Sequence, residues 1–137
     1  MTITNTLVIL KPDALKRHLV GDIINRFEKR GLTINTLKHT MLTRDVLDQH
    51  YAHIKDKPFY PEIVDYMLSG PVIIMSLSVP SPDVTRLVRD MVGATNPAEA
   101  LPGTIRGDFG ISVEANLIHA SDSLETAIAE HTLHFLS

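Results

Sequence analysis

A chain of 137 residues is long enough to bury a full core and short enough to form one domain, so residues 1–137 are read as a single unit. The net charge of −3 argues against a general nucleic-acid surface, and the lack of cysteine excludes disulfides, thiolate metal sites and a cysteine nucleophile. No apolar run nears the ~20 residues of a membrane span, and Met1–Asn5 has no basic region or cleavage pattern of an export signal; a cytoplasmic setting without membrane contact is expected. A phosphate ligand stays compatible with this charge, because a few cations focused in one cleft can hold a polyphosphate on an acidic protein.

Leu7–Leu10 is a continuous apolar run stopped by Lys11-Pro12, which suits a strand buried on both faces. Leu19, Ile23, Ile24 and Phe27 recur at helical spacing and end at Gly31. Residues 33–42 set Ile34, Leu37 and Met41 against Asn35, Lys38 and His39, as an edge strand does. Val46, Leu47, His50 and Tyr51, then Ile63, Val64 and Met67, predict two shorter helices split by Lys57-Pro58. Val72–Met75, entered through Gly70-Pro71, is a second buried strand, and Val84, Leu87, Val88 and Met91 give a helix from Ser81-Pro82 to Gly93. Residues 94–114 show no periodicity and hold Pro97, Pro102, Gly103, Gly107 and Gly110. A structureless loop of ~20 residues is uncommon unless it carries function. Ala115–His119 reads as a short fourth strand, and Asp122 with Glu125 resembles a capping box opening a last helix.

Without the helical hairpin the order is β-α-β-β-α-β. The expected class is α/β (α+β): a ferredoxin-like βαββαβ sandwich with a four-stranded antiparallel sheet, an inserted helical hairpin and a long loop before the last strand. The first and third strands form its central pair, expected to run parallel. Such a fold hosts many functions and identifies none.

Chemistry-bearing residues concentrate in Asn116–Ser123, where His119 ends a strand just before a helix start. Pro102–Phe109 supplies the glycine-flanked Arg106, and Lys11 stands where a buried strand ends, its exit fixed by Pro12. A nucleophile with separated cations suggests phosphoryl transfer. Neither G-x-x-x-x-G-K-[ST] nor G-x-G-x-x-G occurs, so phosphates have to be held by side chains and a metal ion. There is no H-E-x-x-H, and His50 and His53 lack a third ligand at recognisable spacing, so no protein-held metal is expected. His131 and His134 read as solvated positions of the last helix, and His18 and His39 as surface positions. A phosphoryl-accepting imidazole needs one ring nitrogen free and the other hydrogen-bonded. Ser121, Asp122, Glu125 and Glu130 lie near enough in sequence to His119 to orient it. Arg89 is a second candidate cation, and Lys57–Pro61 sets aromatics at the hairpin tip, where plain packing is the alternative reading.

Together these segments resemble the nucleoside diphosphate kinase family over essentially the whole chain. The resemblance is carried by Thr6–Ala14, Leu19-Val20-Gly21, Arg26–Gly31, Lys57-Pro58-Phe59, Met67–Pro71, Gly93–Ala98, Pro102–Phe109 and the Asn116-x-x-His119-Ala120-Ser121-Asp122 run. It implies transfer of the terminal phosphate of a nucleoside triphosphate, typically ATP, to a nucleoside diphosphate by a ping-pong route through a phosphohistidine. His119 matches the nucleophile. Lys11, Tyr51, Arg89, Thr95 and Arg106 match the phosphate-binding set, and Lys11 and Asn116 the sugar-hydroxyl contacts. Phe59 matches the base-stacking aromatic, Ile63 its apolar neighbour, and Ser121 and Glu130 the pair that orients the histidine. Mg²⁺ is implied through the nucleotide phosphates rather than through protein ligands. The expected partners are nucleoside tri- and diphosphates and other copies of the chain, as a tetramer or hexamer, with no nucleic acid as main ligand.

Four positions depart from the commonest pattern: Ala120 and His18 stand where glycine is usual, and Glu114-Ala115 replaces glycine-arginine. The Ala120 methyl is harmful only if the backbone there needs a positive φ. The sequence also ends soon after the last helix, without the extension seen in many members, which leaves the oligomer geometry the least carried over. Two rival readings are a catalytically decayed nucleotide-binding or scaffold protein of the same fold, and a ferredoxin-like regulatory or nucleic-acid-binding domain. The first would lose His119, Lys11 or Arg106, and the second would want basic or aromatic residues on the sheet face, where the central strands are aliphatic.

Overall fold

A computed structural model describes residues 4–135. Four strands, β1 (Thr4–Leu10), β2 (Thr33–Thr40), β3 (Val72–Val79) and β4 (Ile118–Ala120), form one sheet in the order β2-β3-β1-β4. The helices are α1 (Pro12–Lys16), α2 (Val20–Lys29), α3 (Arg44–His50), α4 (Tyr60–Met67), α5 (Val84–Val92), α6 (Ile105–Phe109) and α7 (Leu124–Phe135). The sandwich and its inserted α3–α4 hairpin are as expected.

The central pair, however, is antiparallel: β1 pairs with β3 from Thr4↔Val79 to Leu10↔Ile73. The reason is topological. The α1–α2 crossover brings β2 back in the direction of β1, and β3 then inserts between them, antiparallel to both.

Because side chains alternate across a strand, the apolar run of β1 serves two cores. Val8 and Leu10 pack with Ile23, Phe27, Val84 and Val88 beneath α2 and α5. Leu7 and Ile9 pack with Leu47, Tyr60, Val64 and Met67 beneath the hairpin. Both faces are covered, so the Leu7–Leu10 run is apolar throughout. β2 lies at an edge and is mostly exposed, which explains its mixed sequence. Among the described residues no helix is long and apolar enough to cross a membrane.

Three further expectations need correction. The fourth strand covers Ile118–Ala120 rather than Ala115–His119, because Leu117 takes φ +77° and leaves extended geometry. The last helix is capped by Ser123, whose Oγ accepts from the Thr126 N–H at 3.0 Å, so the Asp122–Glu125 pair does not form the box. Residues 94–114 are not structureless either. They contain a 3₁₀ turn at Pro97–Glu99 and α6, which is capped by Thr104 accepting from Gly107 N. Helices this short are too brief to show a period.

Gly107 is required there by space. A Cβ at this position would sit 2.0 Å from the Leu101 carbonyl oxygen, a backbone atom that cannot step aside. Gly107→Ala is expected to destabilise by about 1–3 kcal/mol or more, as overpacking does, measured as a drop in urea midpoint with Arg106 displaced. A wild-type midpoint would show that α6 yields freely.

Candidate active site

The register of β4 decides which way His119 faces. Ile118 and Ala120 point into the core under α2 and α5, while His119 pairs with Ile9 and projects to the hairpin side, toward α3 and α7. There it meets Glu130 of α7: His119 Nε2 lies 3.1 and 3.0 Å from the two carboxylate oxygens. A carboxylate only accepts, so the ring proton is assigned to Nε2 and the lone pair to Nδ1. Among the described residues no hydrogen bond involves Nδ1.

Glu130 is buried in α7 and receives Ser121 Oγ–H at 2.5 Å. Burial works to raise its carboxyl, but hydrogen bonding and charge from His119, then His50 and Ser121, outweigh it and hold the group at about 2. Of the four candidate orienters, Glu130 and Ser121 are the pair the fold brings to His119. Asp122 and Glu125 are exposed.

The loop that delivers His119 is a tight one. Ile118 N–H donates to Asn116 O at 3.0 Å, closing a γ-turn around Leu117, whose φ is +77°. A bulky residue there stores about 1–3 kcal/mol of strain. The residues that end β1 offset it: Lys11 N–H donates to Leu117 O at 2.8 Å, and Leu117 N–H donates to Asp13 Oδ2 at 3.2 Å. No sequence signal marks Leu117, since leucine rarely takes a positive φ. His18 takes φ +58°, which accounts for the usual glycine at its position. Ala120 has no positive φ and its methyl is packed in the core, so it obstructs nothing.

His119 opens into a cleft of about 650 Å³, which also admits Lys11, Tyr51, Phe59, Ile63, Arg89, Thr95, Arg106, Asn116 and Glu130. Every predicted site residue except the buried Ser121 therefore lines one cleft. Lys11 Nζ donates to Asn116 Oδ1 at 2.7 Å, and Asn116 Nδ2 donates to Thr95 O at 3.0 Å, tying β1 to the loop. Desolvation, then the Arg106 charge, lowers the Lys11 ammonium to about 8 against the pull of Asp13.

Arg106 is 7 % exposed, far from the usual fate of an arginine. Its Nη atoms donate to Gly93 O at 3.0 Å and Ile118 O at 2.5 Å, while Nε is buried without a partner. Burial and Arg89 lower it to about 10, so it stays cationic. Arg89 donates to Ala120 O at 3.0 Å. Tyr51 is raised to about 12, by burial first and then Glu130, and keeps its hydroxyl proton. The hairpin-tip aromatics divide: Tyr60 is buried and donates to Asp48 at 2.9 Å, while Phe59 stays 48 % exposed in the cleft mouth.

Sequence reasoning missed two histidines. His134 is buried, not solvated, and its Nε2 lies 2.9 Å from His50 Nδ1. His50 in turn stacks edge-on against His119, with ring centroids 4.5 Å apart, and places Nε2 3.5 Å from Glu130. The apolar positions of α7 would have hinted at the buried face of His134; for His50 the partners are too distant in sequence to signal anything. Burial is the first cause that lowers both rings, His50 to about 3 and His134 to about 4, so both are neutral at pH 7.

Comparisons with known proteins give matches over nearly the whole chain. The model of the family described as "Nucleoside diphosphate kinase" matches residues 4–137. The chain is similar to nucleoside diphosphate kinase of Acetivibrio thermocellus, 55% identical over 91% of this chain and 90% of that one. It is also similar to that of Saccharolobus islandicus, 48% identical over 98% and 96%. Among solved structures, nucleoside diphosphate kinase from Encephalitozoon cuniculi superposes with a TM-score of 0.92 at 42% identity, over 96% of this chain and 88% of that one. The enzyme from Halobacterium salinarum, solved in complex with CDP, gives 0.93 at 39% identity, over 99% and 90%.

The histidine pair predicts a pH signature. Both rings bind protons more weakly folded than at their ordinary 6.5, so below pH 6.5 the unfolded chain takes up more protons and stability falls toward pH 3–4. Glu130, lowered from 4.5, acts in the same direction below that value. The urea midpoint is expected to drop between pH 7 and 4, and less steeply in His134→Gln. Equal slopes would remove His134 from the buried cluster.

Proposed function

The chain belongs to the nucleoside diphosphate kinase family and is an enzyme of that kind, and from that premise we propose that it works by a ping-pong route through a phosphohistidine at His119. The observation that carries this is the free Nδ1 of His119, facing a cation-lined cleft while Nε2–H is held by Glu130.

In the first half-reaction the Nδ1 lone pair attacks the terminal phosphorus of a nucleoside triphosphate, typically ATP. The bond to the bridging oxygen breaks, and a nucleoside diphosphate leaves with that electron pair. The ring proton remains on Nε2, and the positive charge that develops on the imidazole lies against Glu130. A second nucleoside diphosphate reverses the step. One pocket thus serves donor and acceptor in turn.

Charge building on the transferred group is met by donors already in place, usually the largest catalytic contribution. Lys11, Arg89 and Arg106 supply charge, with Tyr51 and Thr95 as hydroxyl donors. The Arg106 guanidinium is held in place on two backbone carbonyls, so its charge at the cleft is fixed before any phosphate arrives. Lys11 and Asn116 face the sugar hydroxyls. Phe59 stacks on the base with Ile63 beside it, and stacking without edge recognition tolerates any base.

Mg²⁺ fits this site as a passenger on the nucleotide. The cleft is lined with cations and imidazoles, and among the described residues the one cluster of potential ligands, His50, His119 and Glu130, is no oxygen cage. Phosphate oxygens held by Lys11, Arg89 and Arg106 would carry the ion, which when bound neutralises part of their charge. In the same reading the chain is one domain, residues 1–137, a phosphoprotein of nucleotide metabolism in the cytoplasm. It assembles with other copies as a tetramer or hexamer: β2 leaves an open sheet edge with Leu37 and Met41 exposed, a surface a second copy can cover.

Incubation with γ-labelled ATP and Mg²⁺ is expected to leave an acid-labile, alkali-stable label on His119. His119→Ala should lose label and turnover, and Arg106→Ala should lower kcat/KM by about 10²–10³, the loss typical of one preorganised donor. Full exchange by His119→Ala would overturn the route, and would favour another nucleophile in the same cleft.

A further inference from the structure

Behind the nucleophile the His119–Glu130 contact extends to His50, a residue that the phosphotransfer step does not use. His50, His119 and Glu130 each offer one donor atom, and these atoms lie within 4.8 Å of one another. Glu130 Oε2 sits 3.0 Å from His119 Nε2 and 3.5 Å from His50 Nε2. The edges of a tetrahedron built on bonds of about 2.0–2.1 Å are roughly 3.4 Å, so two of the three spacings already suit a bound zinc ion. Two imidazoles and one carboxylate are the donor set of zinc and its neighbours among transition metals, not of Mg²⁺.

The surroundings favour a cation. Glu130 is a buried carboxylate, and among the described residues its ion-pair partners are the two histidines, with no lysine or arginine. His50 Nδ1 rests on His134 Nε2 at 2.9 Å. With a metal ion bound, the proton between the two rings sits on His50 Nδ1 and is held by His134, which leaves the His50 Nε2 lone pair for the ion, the outer-shell arrangement that fixes a ligating imidazole. Ser121 holds the other carboxylate oxygen. The side chain of His119 is 22 % exposed and gives the ion an entry path from the cleft, where the fourth position stays open.

We propose that His50, His119 and Glu130 form an inhibitory site for a zinc-like divalent transition metal, which disarms the nucleophile by taking its Nε2. A neutral imidazole carries one proton. When metal occupies Nε2 that proton moves to Nδ1, where it covers the lone pair that would attack phosphorus. No oxidant, reductant or net proton release is involved. The inhibitory consequence rests on His119 Nδ1 being the phosphoryl acceptor; the binding itself does not.

The test begins without nucleotide. Zn²⁺ titrated calorimetrically into the full chain in Mg²⁺-containing buffer is expected to fill one site per chain. His50→Gln should weaken it more than about 100-fold, beyond what loss of an outer-shell partner causes, while the surface variant His131→Gln should bind as wild type does. Unchanged affinity in His50→Gln, or loss in His131→Gln, would overturn the site. Co²⁺ on the wild-type chain needs no variant: an intense four-coordinate visible spectrum supports the site, and a weak octahedral one overturns it. Labelling by γ-labelled ATP, run in parallel, should fall as zinc fills the site. Zinc binding without loss of label would remove the inhibitory role, whereas an absence of label in metal-free protein would instead count against the phosphohistidine route.

Discussion

The proposed chemistry of this protein depends on the contact between His119 Nε2 and the Glu130 carboxylate. An imidazole has two nitrogens of similar basicity, and only one of them is held by the carboxylate. By accepting a hydrogen bond from Nε2, a carboxylate held at about 2 places the proton on the inner nitrogen and leaves the outer one bare. In the proposed route the same carboxylate faces the positive charge that develops as phosphorus bonds to the ring. Ser121 fixes Glu130, and the Ser121 N–H donates to Leu7 O at 3.0 Å, so the alignment is anchored in the central sheet.

Two other parts of the chain exist in their present form because of that alignment. The γ-turn at Leu117 lets Asn116 face the cleft two residues before β4 begins, and it holds because Lys11 and Asp13 clamp both of its peptide groups. α6 carries Arg106 on two backbone carbonyls, one of them Ile118 O beside His119. Arg106 and His119 are thus fixed to the same strand. Gly107 permits this by letting the first turn of α6 lie against Leu101.

Much of this was legible in sequence, for identifiable reasons. The double-sided apolar runs of β1 and β3, the Gly31 and Gly93 stops and the edge pattern of β2 report local physics, and local physics shows in short windows. The site residues were legible because the Lys11-Pro12-Asp13, Pro102–Phe109 and Asn116–Asp122 segments are long ordered motifs. What escaped depends on contacts across the chain. The direction of β3 against β1 follows from how the crossover and the insertion combine, α6 is too short to show a period, and the Leu117 turn is held by partners more than 100 residues away. His50 and His134 lie 84 residues apart, and neither announces a buried pair.

The most direct measurement is the tautomer of His119, read by long-range ¹H–¹⁵N NMR of histidine-labelled, nucleotide-free and metal-free protein at neutral pH. Protonated Nε2 with a bare Nδ1 is the predicted state, shifting in Glu130→Gln. A ring protonated on Nδ1 would contradict the claim that Glu130 arms this histidine for attack.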